Sequence, residues 1–196
     1  MVWDDLGRDS AKNKDNDREK WLGVYIGILA VILAICSLGG GNATKDSTLK
    51  NIEASNTWGF YQAKNIRRQA LRLQADEFEA FLKMTPNMPD EVGNQIQAKI
   101  DGYHADEKRM TTEPEKKEGI EELLVKGKAL EVERDTAMRR DPYFDYGQAL
   151  LQIAIVLASV AIISGGNLVL IGSLILAALG ALATFGGFTL AFPLPF

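Results

Sequence analysis

Between Trp21 and Leu38 not one side chain carries a charge, and from Gly147 to Phe192 none does either. All 22 Lys and Arg and all 26 Asp and Glu lie in 1–20 and 39–146. A soluble domain has no reason to sort its charges this way. A chain that passes between lipid and water must do so, because an ionised group at bilayer depth is costly. The mean hydropathy near zero is thus an average over two opposite populations. The run WLGVYIGILAVILAICSL has 18 residues, which at about 1.5 Å each reach about 27 Å, close to a bilayer's hydrocarbon thickness. Residues 21–38 therefore read as a transmembrane helix. The second block of 46 residues is long enough for two spans, with SGGN at 164–167 in its middle. That turn signal predicts spans over 147–164 and 168–192.

The first twenty residues hold six acids against five bases, unlike the basic start of a signal peptide, and GGGNATKD lacks a clean cleavage context. The first run is therefore expected to stay as an anchor. The polar 1–20 segment has the composition of a flexible tail. The single cysteine, Cys36, lies inside the first span and can form no internal disulfide.

Residues 39–146 read as helices separated by two breaks. Gly39, Gly40 and Gly41 are expected to break or loosen the helix after the first span, with Asn42 or Thr44 capping a new one. A helical pattern then runs to Met84, with Leu49, Ile52, Ala63, Ile66, Ala70 and Leu73 near a 3–4 spacing as its apolar face. TPNMPDE at 85–91 predicts a turn into a helix over about 90–110. TTEPE at 111–115 predicts a second break, with Thr112 and Glu115 as a capping box. A charged helix should follow to Arg140. DPYFDY at 141–146 should end this region and set three aromatics at headgroup level. The fold class expected is all-α: an integral membrane protein with three transmembrane helices and an extramembrane antiparallel helical hairpin or coiled-coil domain.

Small residues line the spans. Gly23, Gly27, Ala30, Ala34 and Ser37 fall at spacings of 4, 3, 4 and 3 along one seam. The third span repeats this with Ser173, Ala177, Gly180, Thr184, Gly187 and Ala191, and the second with Ala154, Ala158, Ala161 and Gly165. In lipid no hydrophobic force pairs helices, so close backbone approach along such seams supplies much of the packing. The partner of the first-span seam is either the chain's own third span or another chain. Ionisable groups are missing from the spans, and Gln148 and Gln152 at the start of the second span are the polar candidates. Transport is disfavoured on that ground.

Catalytic constellations are weak. His104 is the one histidine, on a polar helix where Asp101 shares its face. One His and one span-embedded Cys support neither a zinc cage nor a nucleophile pair. No glycine cluster precedes a Lys-Ser or Lys-Thr, so no phosphate loop is evident. The expectation is a non-enzyme without catalytic, metal or cofactor-binding residues and without an evident small-molecule substrate. Residues 39–146 hold 17 of the bases and 20 of the acids, a balance that argues against nucleic acid.

ASNTWGFYQAKNIRR at 54–68, with Arg72 one turn beyond it, sets Trp58, Tyr61, Asn65, Arg68 and Arg72 along one helical face beside Lys64, largely apart from the apolar face. This aromatic–basic stripe could pack inside the hairpin against acids such as Glu121, Glu122, Glu131 and Glu133, receive a protein partner, or meet lipid. ASNTWGFYQAKNIRRQ after a first span, then AMRRDPYFDYGQALLQIAIVLASVAI opening a second, resembles a bacterial family of small three-span membrane proteins, the domain-of-unknown-function family numbered 4337. The resemblance covers about residues 20–185. It implies the architecture and no activity, so no catalytic residue is carried over. The acidic tail and the uncharged SGGN turn depart from the family's more basic turn.

Lys and Arg flanking the spans are evenly divided, five in the tail against Lys45, Lys50, Arg134, Arg139 and Arg140. The resemblance implies a multi-pass protein of the bacterial inner membrane with a cytoplasmic N-terminus and a periplasmic helical domain. The function expected is that of a structural or accessory protein that packs in a membrane assembly, its partners being lipids and other membrane chains or further copies of itself. The alternative is a homo-oligomeric pore or membrane-stress protein.

Overall fold

The computed structural model describes residues 2–193, with side chains described from Arg18 to Pro193. Four helices follow one another: α1 (Val2–Met84), α2 (Asp90–Thr111), α3 (Ile120–Ser164) and α4 (Asn167–Thr189). No strand occurs among the described residues. Three of the helices, α1, α3 and α4, are long and apolar enough to cross a membrane. The chain is an all-α, three-span, multi-pass membrane protein.

Two spans are parts of longer helices. The expected break at Gly39, Gly40 and Gly41 does not occur, because α1 runs through them. The smallness of Gly39 and Gly40 serves packing instead. A Cβ on Gly39 would run into the Phe144 ring, and one on Gly40 would lie 3.1 Å from the Phe144 Cβ. The expected end of the charged helix at 141–146 does not occur either, since α3 continues through Pro142. Proline forfeits one ladder hydrogen bond, and here the turns around it are held by buried Ala137, Tyr143 and Phe144.

The chain divides into two compact units, one made of Met1–Ser47 and Asp135–Phe196, the other of Thr48–Arg134. The second is narrower than the 39–146 expected from charge alone.

The first unit contains the three spans. Its core joins Leu29, Cys36 and Ala43 of α1, Phe144, Leu151 and Ala154 of α3, and Ala177 of α4. The α4 seam is buried at Ser173, Ala177, Gly180, Thr184 and Gly187, and the α3 seam at Ala154, Ala158 and Ala161. Gly180 and Gly147 allow a close approach: a Cβ on Gly180 would lie 3.1 Å from the Gly147 carbonyl oxygen. Hydroxyls tie the spans together. Tyr25 Oη and Ser173 Oγ lie 3.0 Å apart, and Ser173 donates to the Ala154 carbonyl at 2.7 Å. The turn between α3 and α4 needs Gly165, whose φ is +65°, and Arg18 donates to the Gly165 carbonyl and to Asn167 Oδ1.

In the second unit α1 is met by α2 and then by the start of α3, running antiparallel to it. Phe78 stacks on Tyr103 at 6.0 Å, Trp58 bonds to Glu131, and Lys50 pairs with Glu133 at 2.9 Å. The inward face of α1 is Ala54, Thr57, Lys64 and Ala75, and Ile100 of α2 and Ile120, Leu123 and Leu130 of α3 are buried in the same unit. The apolar stripe read from periodicity is on the other side. Leu49, Ile52, Ala63, Ile66, Ala70 and Leu73 all face outward.

The second break is longer than TTEPE, and the capping box does not form. Thr112 ends α2 with an extended backbone, and its hydroxyl donates to Glu121 at 2.8 Å while the Glu113 N–H donates to Glu122. α3 starts only at Ile120, after Lys117 has taken a left-handed φ of 55°. The acids at the start of α3 thus collect the donors of the preceding loop.

Candidate functional site

Two regions concentrate the residues singled out by sequence. The first is the aromatic–basic stripe on α1. Trp58 is half-buried, its indole N–H donates to Glu131 Oε1 at 3.0 Å, and its ring lies over Gly127. A Cβ at Gly127 would lie 2.9 Å from the indole, so α3 is bare where the ring sits. Tyr61 meets Trp58 edge-on at 5.5 Å between centroids. Lys64 is buried. Its ammonium donates to Glu113 Oε2 at 3.2 Å and to the Glu118 carbonyl, and lies 5.7 Å from the centre of the Phe60 ring. Arg68 is half-buried and Arg72 is exposed. Trp58 and Lys64 are therefore engaged within their own unit.

The Lys64 ammonium beside it holds the Glu113 carboxyl below its ordinary value, with Lys116 and Arg109 adding to the effect. Glu133 and Glu53, bonded to Lys50, raise the lysine's pKa above its ordinary value. Both shifts are those of ion pairs, one tying α1 to the loop before α3 and the other tying α1 to α3. Neither is the signature of a reactive group.

His104 lies 3.3 Å from Glu79 Oε1 and 3.7 Å from Glu107 Oε2. Glu79 belongs to α1, so sequence spacing along α2 did not reveal it. Among the described residues no group of three or more His, Cys, Asp or Glu is placed to hold a metal ion. Glu113 and Gly127 were missed as well. An isolated glycine within a charged helical pattern was the available signal for Gly127.

The second region is the outward face of the first span. Gly23, Gly27, Ala30, Ala34 and Ser37 are all exposed, and a Cβ built at Gly23 or Gly27 would meet nothing within 4 Å. Internal packing of α1 uses Leu22, Leu29 and Cys36 instead. The spans thus differ: the seams of α3 and α4 are filled within the unit, and that of α1 is open. Gln148 is half-buried and Gln152 exposed.

The family described as Domain of unknown function (DUF4337) matches residues 18–190. The chain belongs to this family. The match begins at Arg18, which clamps the α3–α4 turn, and ends at Leu190, just past α4. It takes in both the open seam and the Lys64–Glu113 pair. No curated protein and no solved structure matches the chain.

Proposed function

We propose that this DUF4337 protein is a non-catalytic structural or accessory component of a membrane assembly, set in the bacterial inner membrane. The observation that carries the reading is the open seam of the first span. Gly23 and Gly27, four residues apart, have nothing within 4 Å of an added Cβ, and spacing of this kind lets two backbones approach closely in lipid. The seams of the other two spans are occupied inside the chain, so the open one supplies the docking face. One histidine and one buried cysteine offer little for chemistry, which is why the role is assigned to packing.

The test is the native mass of the protein extracted gently from its own membranes, with co-purifying chains identified, for wild type and for Gly27→Leu. A large wild-type particle that Gly27→Leu reduces, with insertion intact, supports the reading. An unchanged particle in Gly27→Leu excludes the seam, and a bare wild-type monomer excludes the assembly. A particle built only of this chain turns the question to a homo-oligomeric pore and to conductance.

A further inference from the structure

The outward face of α1 in the unit Thr48–Arg134 is a heptad seam without an occupant. Its a positions are Leu49, Asn56, Ala63 and Ala70. Its d positions are Ile52, Gly59, Ile66 and Leu73. All eight are exposed, Leu49 by 57%, Ile52 by 51%, Ile66 by 67% and Leu73 by 62%. These residues lie outside the charge-free runs, in a unit that carries most of the chain's charge. Four large aliphatic side chains at heptad positions of a charged unit are not explained by its own core, which uses the opposite face. A repeat of 3.5 residues is the period that keeps one helix facing another over many turns.

We infer that this seam binds the same seam of a second copy, as a parallel two-stranded coiled coil. This rests on the reading of the protein as a packing component and names one of its partners. Two features select a parallel copy, and the flanking positions permit it. Asn56 is the one polar a residue between Leu49 and Leu73, and a single asparagine at a pairs across a parallel dimer and fixes its register. The flanking positions set no like charges together, since Ser55 would face Phe60, Gln62 would face Arg67 and Gln69 would face Gln74. Copies inserted by the same three spans present their seams in the same direction.

The seam measures about 36 Å from Leu49 to Leu73 at about 1.5 Å per residue. On a helix about 10 Å wide this covers on the order of 400 Å² per copy, so the pair is small for proteins meeting freely in solution. Confinement of both copies to one membrane supplies the missing effective concentration. Gly59, Ala63 and Ala70 at the centre let the helices approach closely.

The experiment is disulfide trapping of the full chain in its own membranes, with the buried Cys36 of wild type as the blank. Asn56→Cys and Ile66→Cys should give a covalent dimer, and Asn51→Cys, exposed on the other side of α1, should not. Ile66→Glu introduced into Asn56→Cys should reduce the yield at least tenfold while the chain still inserts. Equal yields at all three positions, no dimer at Asn56 and Ile66, or insensitivity to Ile66→Glu would each overturn the inference. If no dimer is trapped but other chains still co-purify, this inference fails and the packing role stands. If the dimer is trapped and Gly27→Leu changes nothing, the seam on the span fails and this one stands.

Discussion

A lysine only 8% exposed is uncommon without a partner, and Lys64 has a carboxylate, a carbonyl and a ring around its ammonium. It pins the loop between α2 and α3 to α1. The consequence appears on acidification. Glu113 is held below its ordinary value of 4.5, so the folded state favours the carboxylate more than the unfolded state does. That stability is fully present above pH 4.5 and is lost as the pH falls through the folded-state value. The thermal midpoint of the helical signal should therefore fall between pH 6 and about pH 3, and Glu113→Gln should flatten that fall. An equal fall in both proteins would show that other carboxylates carry the acid sensitivity. Lys50 acts in the opposite direction: its pKa is raised from 10.5, so its contribution is present below that value and disappears at more alkaline pH.

Phe144 illustrates the element scale. Its ring meets Phe188 edge-on at 5.0 Å, and an added Cβ on Gly187 would lie 2.8 Å from it. One aromatic thus joins α1, α3 and α4, and glycines on both neighbouring helices make room for it. Phe144→Ala should cost about 3 kcal/mol by opening a cavity, read as a lower unfolding midpoint in lipid nanodiscs. Phe185→Ala, at a site 58% exposed, should change little. The same packing bears on the glycine run that fails to interrupt α1. Each carries an intrinsic penalty of about 1 kcal/mol relative to alanine, and contact with Phe144 offsets it at Gly39 and Gly40. Amide exchange at 39–41 should accordingly be as slow as in the turns on either side, whereas a hinge would exchange rapidly.

At the scale of the whole molecule, charge segregation made the three spans legible, because the bilayer imposes a length and forbids ionised groups. The buried seams of α3 and α4 were legible for a related reason: within lipid only small residues permit close approach. The helical unit was read less well. Apolar periodicity marked Ile52, Ile66 and Leu73 as one face of α1 and left open what the other face packs against, and the inner face is held by Ala54, Lys64 and Ala75. Periodicity identifies a face that wants a partner and does not say whether that partner lies in the same chain. Long-range pairs such as Lys64 with Glu113 and His104 with Glu79 leave no trace in local spacing. The separation of contacts in sequence also bears on biosynthesis. Cys36 donates to the Phe144 carbonyl 108 residues later, and at about 5–20 residues per second that stretch takes on the order of ten seconds to translate. For that interval the first span must lie in the bilayer alone, with the side that will later receive α3 and α4 turned to acyl chains. Leu22, Leu29 and Cys36 make that wait harmless, and Tyr25 is the one member of the face whose hydroxyl must await its partner, Ser173.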